Sequence, residues 1–167
     1  IINNELRTLK TDQNKILISE FNNIISQEIK NQPTPFIYER IGEKFKHYFI
    51  DEFKDTSQLQ WENLITLMGN ALSTENGTAM LVGDAKQAIY RWRGGKAEQF
   101  IDLFNQKSLP FVVKQEVKDL KSNYRSFKDI VDFNNGFFSY LSTCVFTKKE
   151  YQQLYERARQ DTFIQQT

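Results

Sequence analysis

The sequence predicts an α/β fold, a parallel sheet flanked by helices. Three observations point to it. Two short apolar runs, Tyr48-Phe49-Ile50 and Ala79 to Val82, each lead into acidic residues, Asp51-Glu52 and Gly83-Asp84. A helical stretch between them carries Leu59, Leu64, Ile65, Leu67, Met68 and Leu72. Helical spacing also precedes the first run and follows the second. Helices and strands alternating over short connections are the pattern of βαβ units.

Each element has a local reason. Residues 1–15 are polar with weak pattern. Ile16-Leu17-Ile18 is a short apolar run, Ser19 suits a helix N-cap, and Phe21, Ile24, Ile25 and Ile29 then recur at helical spacing. Pro33 and Pro35 make a loop of Asn31 to Pro35, because proline is excluded from helix interiors. Phe36 to Lys46 predicts a helix with Phe36, Ile37, Ile41 and Phe45 on one side. Tyr48 to Ile50 predicts a buried strand ending at Asp51, and Ser57 caps the next helix. Ser73 to Gly77 is a turn before a second buried strand, and Gly94-Gly95 breaks the chain again. Ala97 to Phe104 reads as helix and Phe111 to Leu120 as extended chain. Ser126 is placed to cap a helix carrying Ile130, Val131, Phe133, Phe137, Phe138 and Leu141. Lys148 to Arg159 predicts a last, mostly polar helix.

Composition sets limits. A chain of 167 residues suits one ordinary domain with a real core. Its 40% apolar and 26% charged residues are those of a soluble globular protein. The net charge of +1 gives no global basic field, so nucleic-acid binding has to come from a local patch. The single cysteine, Cys144, excludes an internal disulfide, fits a reducing cytoplasm, and reads as a packed small hydrophobe. His47 is the lone histidine and reads as structural. No apolar run approaches the roughly 18 residues that span a bilayer, and no signal peptide is visible. The start at Ile1, in polar sequence, points to a segment of a longer protein.

The chemistry gathers between Asp51 and Arg93. Adjacent strand residues point to opposite faces, so Asp51 and Glu52 can do different work. One suits Mg²⁺, which prefers oxygen ligands and keeps several waters. The other suits orienting or deprotonating an attacking water. The amide of Gln87 can donate to a terminal phosphate oxygen without a fixed charge. Tyr90 and Trp92 offer flat faces for bases, and Arg91 and Arg93 offer phosphate contacts. Asn123-Tyr124-Arg125-Ser126 stands where an extended run meets a helix. Arg125 there can stabilise charge in phosphoryl transfer, and Tyr124 can stack on a nucleobase.

These blocks, DEFKDT, VGDAKQAIYRWRGG and LKSNYRS, resemble three helicase motifs, in order, of the UvrD/Rep/RecB group of superfamily 1 DNA helicases. The match spans roughly Ile16 to Phe138, and the Lys86-Gln87 pair brings it nearer to RecB/AddA-type helicase–nucleases. The resemblance implies a partial RecA-like P-loop NTPase lobe using ATP and Mg²⁺. Asp51 would bind Mg²⁺, Glu52 would activate water, and Gln87 would read the γ-phosphate. Tyr90, Trp92 and Arg93 would contact single-stranded DNA. Tyr124 would stack near adenine, and Arg125 would act as an arginine finger. Residues 1–107 would be the later part of the first lobe and 108–167 the start of the second. Lys54 departs from the family, which usually has glutamine there.

No G-x-x-x-x-G-K-[ST] phosphate loop occurs in the chain, so this chain alone is expected to be inactive. Duplex or single-stranded DNA is the expected partner, with a nuclease domain or subunit in the full-length protein. A truncated lobe would expose a sheet edge, so self-association is expected. Two other classes fit the residues: a non-catalytic single-stranded DNA-binding module, and an unrelated Mg²⁺-dependent α/β hydrolase using Asp51, Glu52 and Asp84.

Overall fold

The computed structural model describes residues 2–30, 40–41 and 44–164. The loop from Asn31 to Pro35 and most of the helix expected over Phe36 to Lys46 lie outside these residues, and so does the side chain of Ser19.

The described chain runs α1 (Ile2–Asp12), α2 (Ile18–Lys30), β1 (His47–Ile50), α3 (Gln58–Leu72), β2 (Thr78–Leu81), α4 (Ala97–Phe104), β3 (Ser122–Phe127), α5 (Lys128–Cys144), α6 (Lys149–Glu156) and β4 (Asp161–Ile164). Short 3-10 turns fall at Phe53–Asp55, Ala85–Gln87 and Arg91–Arg93. β1 pairs with β2 in parallel, Ile50 opposite Leu81, and α3 makes the crossover. The expected βαβ unit is therefore present. β3 and β4 form a second parallel pair whose register shifts between Asn123 and Phe127.

α3 starts where Ser57 predicts. The Ser57 hydroxyl accepts the Gln60 N–H, and the Gln60 side chain accepts the Ser57 N–H at 2.8 Å, a reciprocal cap of two orphan donors. The helix turns Trp61, Leu67, Met68 and Ala71 inward. Phe53, Trp61, Met68 and Leu103 form the core, with Tyr48, Ile50, Leu64, Ala79, Leu81 and Phe100 packed against it. Trp61 meets Phe53 edge-on at 4.8 Å between ring centres, a favoured aromatic geometry. His47 Nδ1 lies 2.9 Å from Thr78 Oγ1 on the paired strand.

Several expectations are corrected. The strands are half-buried rather than buried: Ile50 and Leu81 face the core, while Phe49 is 71% exposed and Met80 is open as well. With two strands and helical cover on one face, every second side chain stays in solvent. Residues 2–12 form a helix despite their weak pattern, with none of its residues buried. Phe111 to Leu120 acquires no ladder partner among the described residues. It is pinned by side chains instead, Phe111 edge-on to Trp61 at 6.1 Å and Gln115 Nε2 donating to Leu103 O at 2.6 Å. Ser126 does not cap α5. The helix begins after Phe127 without a side-chain cap, and Asn123 Oδ1 accepts both the Arg125 and Ser126 N–H groups at 2.9 Å. This side-chain turn competes with helix entry and keeps the segment extended. The last helix ends at Glu156, and the unforeseen β4 comes after it. Cys144 is exposed rather than packed, because it lies at the last turn of α5 beyond the buried Ser142.

Candidate functional site

Parallel pairing brings the C-terminal ends of β1 and β2 level. Val82 N–H donates to Ile50 O at 2.8 Å and Phe53 N–H donates to Val82 O at 3.0 Å, so the chain after β1 folds across the end of β2. Phe53, at 0% exposure, anchors this acidic turn in the core. Glu52 takes the left-handed conformation, φ 53°, which is uncommon for a residue with a Cβ. Its N–H donates to Asp51 Oδ1 at 2.8 Å. The two carboxylates thus leave one strand end with different partners, Asp51 on the Glu52 N–H and Glu52 on Lys54, both exposed. Lys54 is buried at 4% exposure and ion-pairs with Glu52.

The second turn lies against the first. A Cβ built on Gly83 would stand 3.4 Å from the backbone nitrogens of Phe53 and Lys54, so the turns approach closely. Asp84 organises the 3-10 turn after it. Its Oδ1 accepts the Lys86 N–H at 3.1 Å and Lys86 Nζ at 2.5 Å, and its Oδ2 accepts the Gln87 side-chain amide at 3.0 Å. Gln87 is thereby held on the carboxylate end of the strand pair, with its residue exposed. Tyr155 of α6 lies near enough that burial first, and the Asp84 charge second, push its hydroxyl pKa up.

The aromatic and arginine residues form an open cluster. Trp92 is 79% exposed and Tyr90 is exposed too, so neither ring belongs to the core. Arg93 spans both rings, its guanidinium 5.8 Å from the Tyr90 centre and 5.5 Å from that of Trp92. Arg91 is paired with Glu98 instead. Burial alone would raise the Glu98 carboxyl, but the Arg91 hydrogen bond, backbone bonding and nearby Arg91 and Lys96 charges hold it below its usual value.

This cluster is stitched to the acidic turn. Lys96 N–H and the Gln99 side chain both donate to Thr56 O at 3.1 Å. Ser57 and Gly95 form an isolated antiparallel bridge. A Cβ on Gly95 would meet Tyr90 O at 2.9 Å and Asp55 O at 3.1 Å, so this contact requires glycine. These stitches were missed in the sequence, since only Gly95 carried a signal and it read as a chain break.

Tyr124 and Arg125 stand on β3, exposed, in the other sheet. Among the described residues no hydrogen bond, ion pair or ring contact joins them to Asp51, Glu52, Asp84 or Gln87. Phe163 of β4, which the sequence did not single out, packs on Tyr124 with ring centres 4.6 Å apart. A cleft of about 520 Å³ opens between α2 and α3 beside Glu52 and Asp55. Among the described residues no three Asp, Glu, His or Cys side chains gather as a metal cage, and no helix is long and apolar enough to cross a membrane.

The paired strand ends carry Asp51-Glu52 and Asp84-Gln87, with the aromatic and arginine loop attached. Residues 2–108 match the family described as UvrD/REP helicase N-terminal domain. The chain belongs to that family. Among its relatives is an ATP-dependent helicase/nuclease subunit of Clostridium botulinum, 31% identical over 125 residues, 72% of this chain and 10% of that protein. The same subunit of Enterococcus faecalis is 40% identical over 99 residues, 59% of this chain and 8% of the relative. DNA helicase II of Haemophilus influenzae is 37% identical over 101 residues, 60% of this chain and 12% of the relative. The chain thus spans about a tenth of the length of these UvrD/REP relatives.

Proposed function

We propose that this chain is part of an ATP-dependent DNA helicase, of the kind that serves DNA repair and recombination in the cytoplasm, and couples ATP hydrolysis to movement along single-stranded DNA. The observation that carries it is the stitching of the acidic turn to the Tyr90–Arg93 cluster through Thr56, Lys96, Gln99 and Gly95. A displacement of one loop has to pull the other.

The donor set fits Mg²⁺ brought in with a nucleoside triphosphate. Asp51 has one carboxylate oxygen committed to the Glu52 N–H and one to offer, and Mg²⁺ is commonly held by one or two carboxylates plus phosphate oxygens and waters. When bound, the ion neutralises charge on the phosphates. Asp51 would hold it, Glu52 would orient and accept the proton of the attacking water, and Gln87 would turn its amide from Asp84 toward the terminal phosphate. Tyr124 would stack near the base and Arg125 would stabilise the developing phosphate charge. Both belong to residues 108–167, read as the start of a second lobe, while residues 1–107 form the later part of the first. The end of the family match at residue 108 supports that division. A phosphate loop is needed for ATP hydrolysis, so the 167-residue chain is inactive alone. Trp92, Tyr90 and Arg93 would hold single-stranded DNA by stacking and phosphate contact. The names of the helicase/nuclease relatives support a nuclease domain or subunit in the whole protein.

Fluorescence anisotropy with a single-stranded oligonucleotide across a salt series tests the DNA platform. Weak, salt-sensitive binding is expected, and Trp92→Ala loses about tenfold or more, the equivalent of one stacked base. Equal binding by both proteins removes Trp92 from the platform. Joined behind a phosphate loop, the chain is expected to show DNA-stimulated ATPase that Glu52→Gln abolishes. ATPase that survives Glu52→Gln overturns the assignment of Glu52.

A further inference from the structure

Lys54 has a distinct position in the structure. It is a cation at 4% exposure, set between Phe53, which is fully buried, and Asp55. A lysine ammonium is seldom buried unless paired, because desolvation is costly. Its partners are both within its own turn. Nζ is ion-paired with Glu52 and stands 4.0 Å from Asp55 Oδ2. The other Asp55 oxygen is buried and has no hydrogen-bond partner among the described residues, so Asp55 is poorly placed to hold the ammonium alone. Glu52 completes the pair from outside. Its side chain is 63% exposed, and it reaches the lysine from a left-handed backbone at φ 53°. The neighbours that α2 and α3 bring to the adjoining cleft include the uncharged Asn22, Gln60 and Asn63. Within its own turn, the charged groups beside Glu52 are Asp51, Lys54 and Asp55, of which Lys54 is the cation.

We propose that Lys54 is a positioning residue: its buried ammonium fixes the direction of the Glu52 carboxylate at the mouth of the cleft between α2 and α3. This rests on the proposed role of Glu52 in activating water. A glutamine at residue 54 offers a neutral donor in place of a charge, so it cannot tie the carboxylate down in the same way. Truncating one member of a buried ion pair leaves the other uncompensated, which costs more than removing both.

A double-mutant cycle on the 167-residue chain tests it, using Glu52→Gln, Lys54→Gln and both together, followed by urea unfolding. Glu52→Gln alone is expected to lower the folding constant at least tenfold, and the double variant to be at least tenfold more stable than the sum of the singles predicts. Lys54→Met serves the same cycle if Lys54→Gln does not fold. The second readout is rescue by a conservative variant, Lys54→Arg, which keeps a cation at this position. Glu52→Gln is expected to cost as much in a Lys54→Arg background as in the native chain and little in a Lys54→Met background, which a lysine that merely fills space would not produce. Additive losses, or a coupling that Lys54→Arg does not keep, overturn the proposal. A coupled pair whose Glu52→Gln variant still hydrolyses ATP behind a phosphate loop overturns the catalytic reading and leaves the pairing standing.

Discussion

The end of the β1–β2 pair and the β3–β4 region are built on opposite terms. Around β1 and β2 the turns are locked from beneath. Phe53 sits wholly in the core against Trp61 and Phe100, and backbone bonds run from Val82 to Ile50 and from Phe53 to Val82. Around β3 and α5 only Val131 and Ser142 are buried among the described residues. Tyr124, Phe127, Ile130, Phe133, Phe137 and Phe163 stand open to solvent. Some of these rings find each other, Phe133 and Phe137 stacked at 5.9 Å, but no further layer of the described residues covers them. Preorganisation is therefore unevenly distributed. The turn that carries the acidic residues is anchored in the core through Phe53, whereas Tyr124 and Arg125 sit on an open surface.

The largest test of this contrast is a pair of truncations. Phe53→Ala is expected to cost about 3–5 kcal/mol in urea unfolding, since it opens a cavity under the acidic turn. Val131→Ala in α5 is expected to cost about 1–2 kcal/mol, as it removes fewer atoms from a smaller buried patch. Equal losses would mean that the two regions share one core.

Next in size is Gly95→Ala. Its Cβ would press on the Tyr90 and Asp55 carbonyls, so the bridge to Ser57 has to give, at about 1–3 kcal/mol. The sharper readout is local: amide exchange at Thr56 and Lys96 rises while that of α5 is unchanged. Unchanged exchange would show the loops are not stitched in solution.

The open apolar faces, Phe49 and Met80 on one sheet and Phe133 and Phe137 on α5, are expected to drive self-association. Light scattering across a concentration series checks it, and a monomer at high concentration overturns it.

The smallest expected effect is on acidification. Glu98 is held below its usual carboxylate value in the folded chain. The pair with Arg91 therefore contributes stability that is present above the ordinary carboxylate range and is lost as pH falls through it. Arg91 is exposed, so the contribution is small, and Arg91→Gln should flatten that part of the stability–pH curve. A curve unchanged by the substitution would place the acid sensitivity elsewhere.

Much of the site was legible because its signals are local. Strand ends, caps and turns depend on residues within a few positions, so β1, β2, α4 and the Ser57 cap fall where the sequence puts them. β4 was not legible, since a strand of four residues carries too short a pattern, and it forms only because β3 is there to pair with it. The exposure of Cys144 and the bare extended run after Phe111 had the same origin, because neighbours distant in sequence determine burial and pairing.

The order β1, α3, β2 and α4, the family resemblance, and the residue types at the ends of β1 and β2 can be read along the chain. Which groups meet cannot. Only the folded chain places Lys54 under Glu52, brings Lys96 and Gln99 to Thr56, and gives Arg91 to Glu98. The cause is that propensity and periodicity act along the chain, whereas burial of Lys54 beneath its own turn and the close approach of Thr56 to Lys96 and Gln99 need the fold around them.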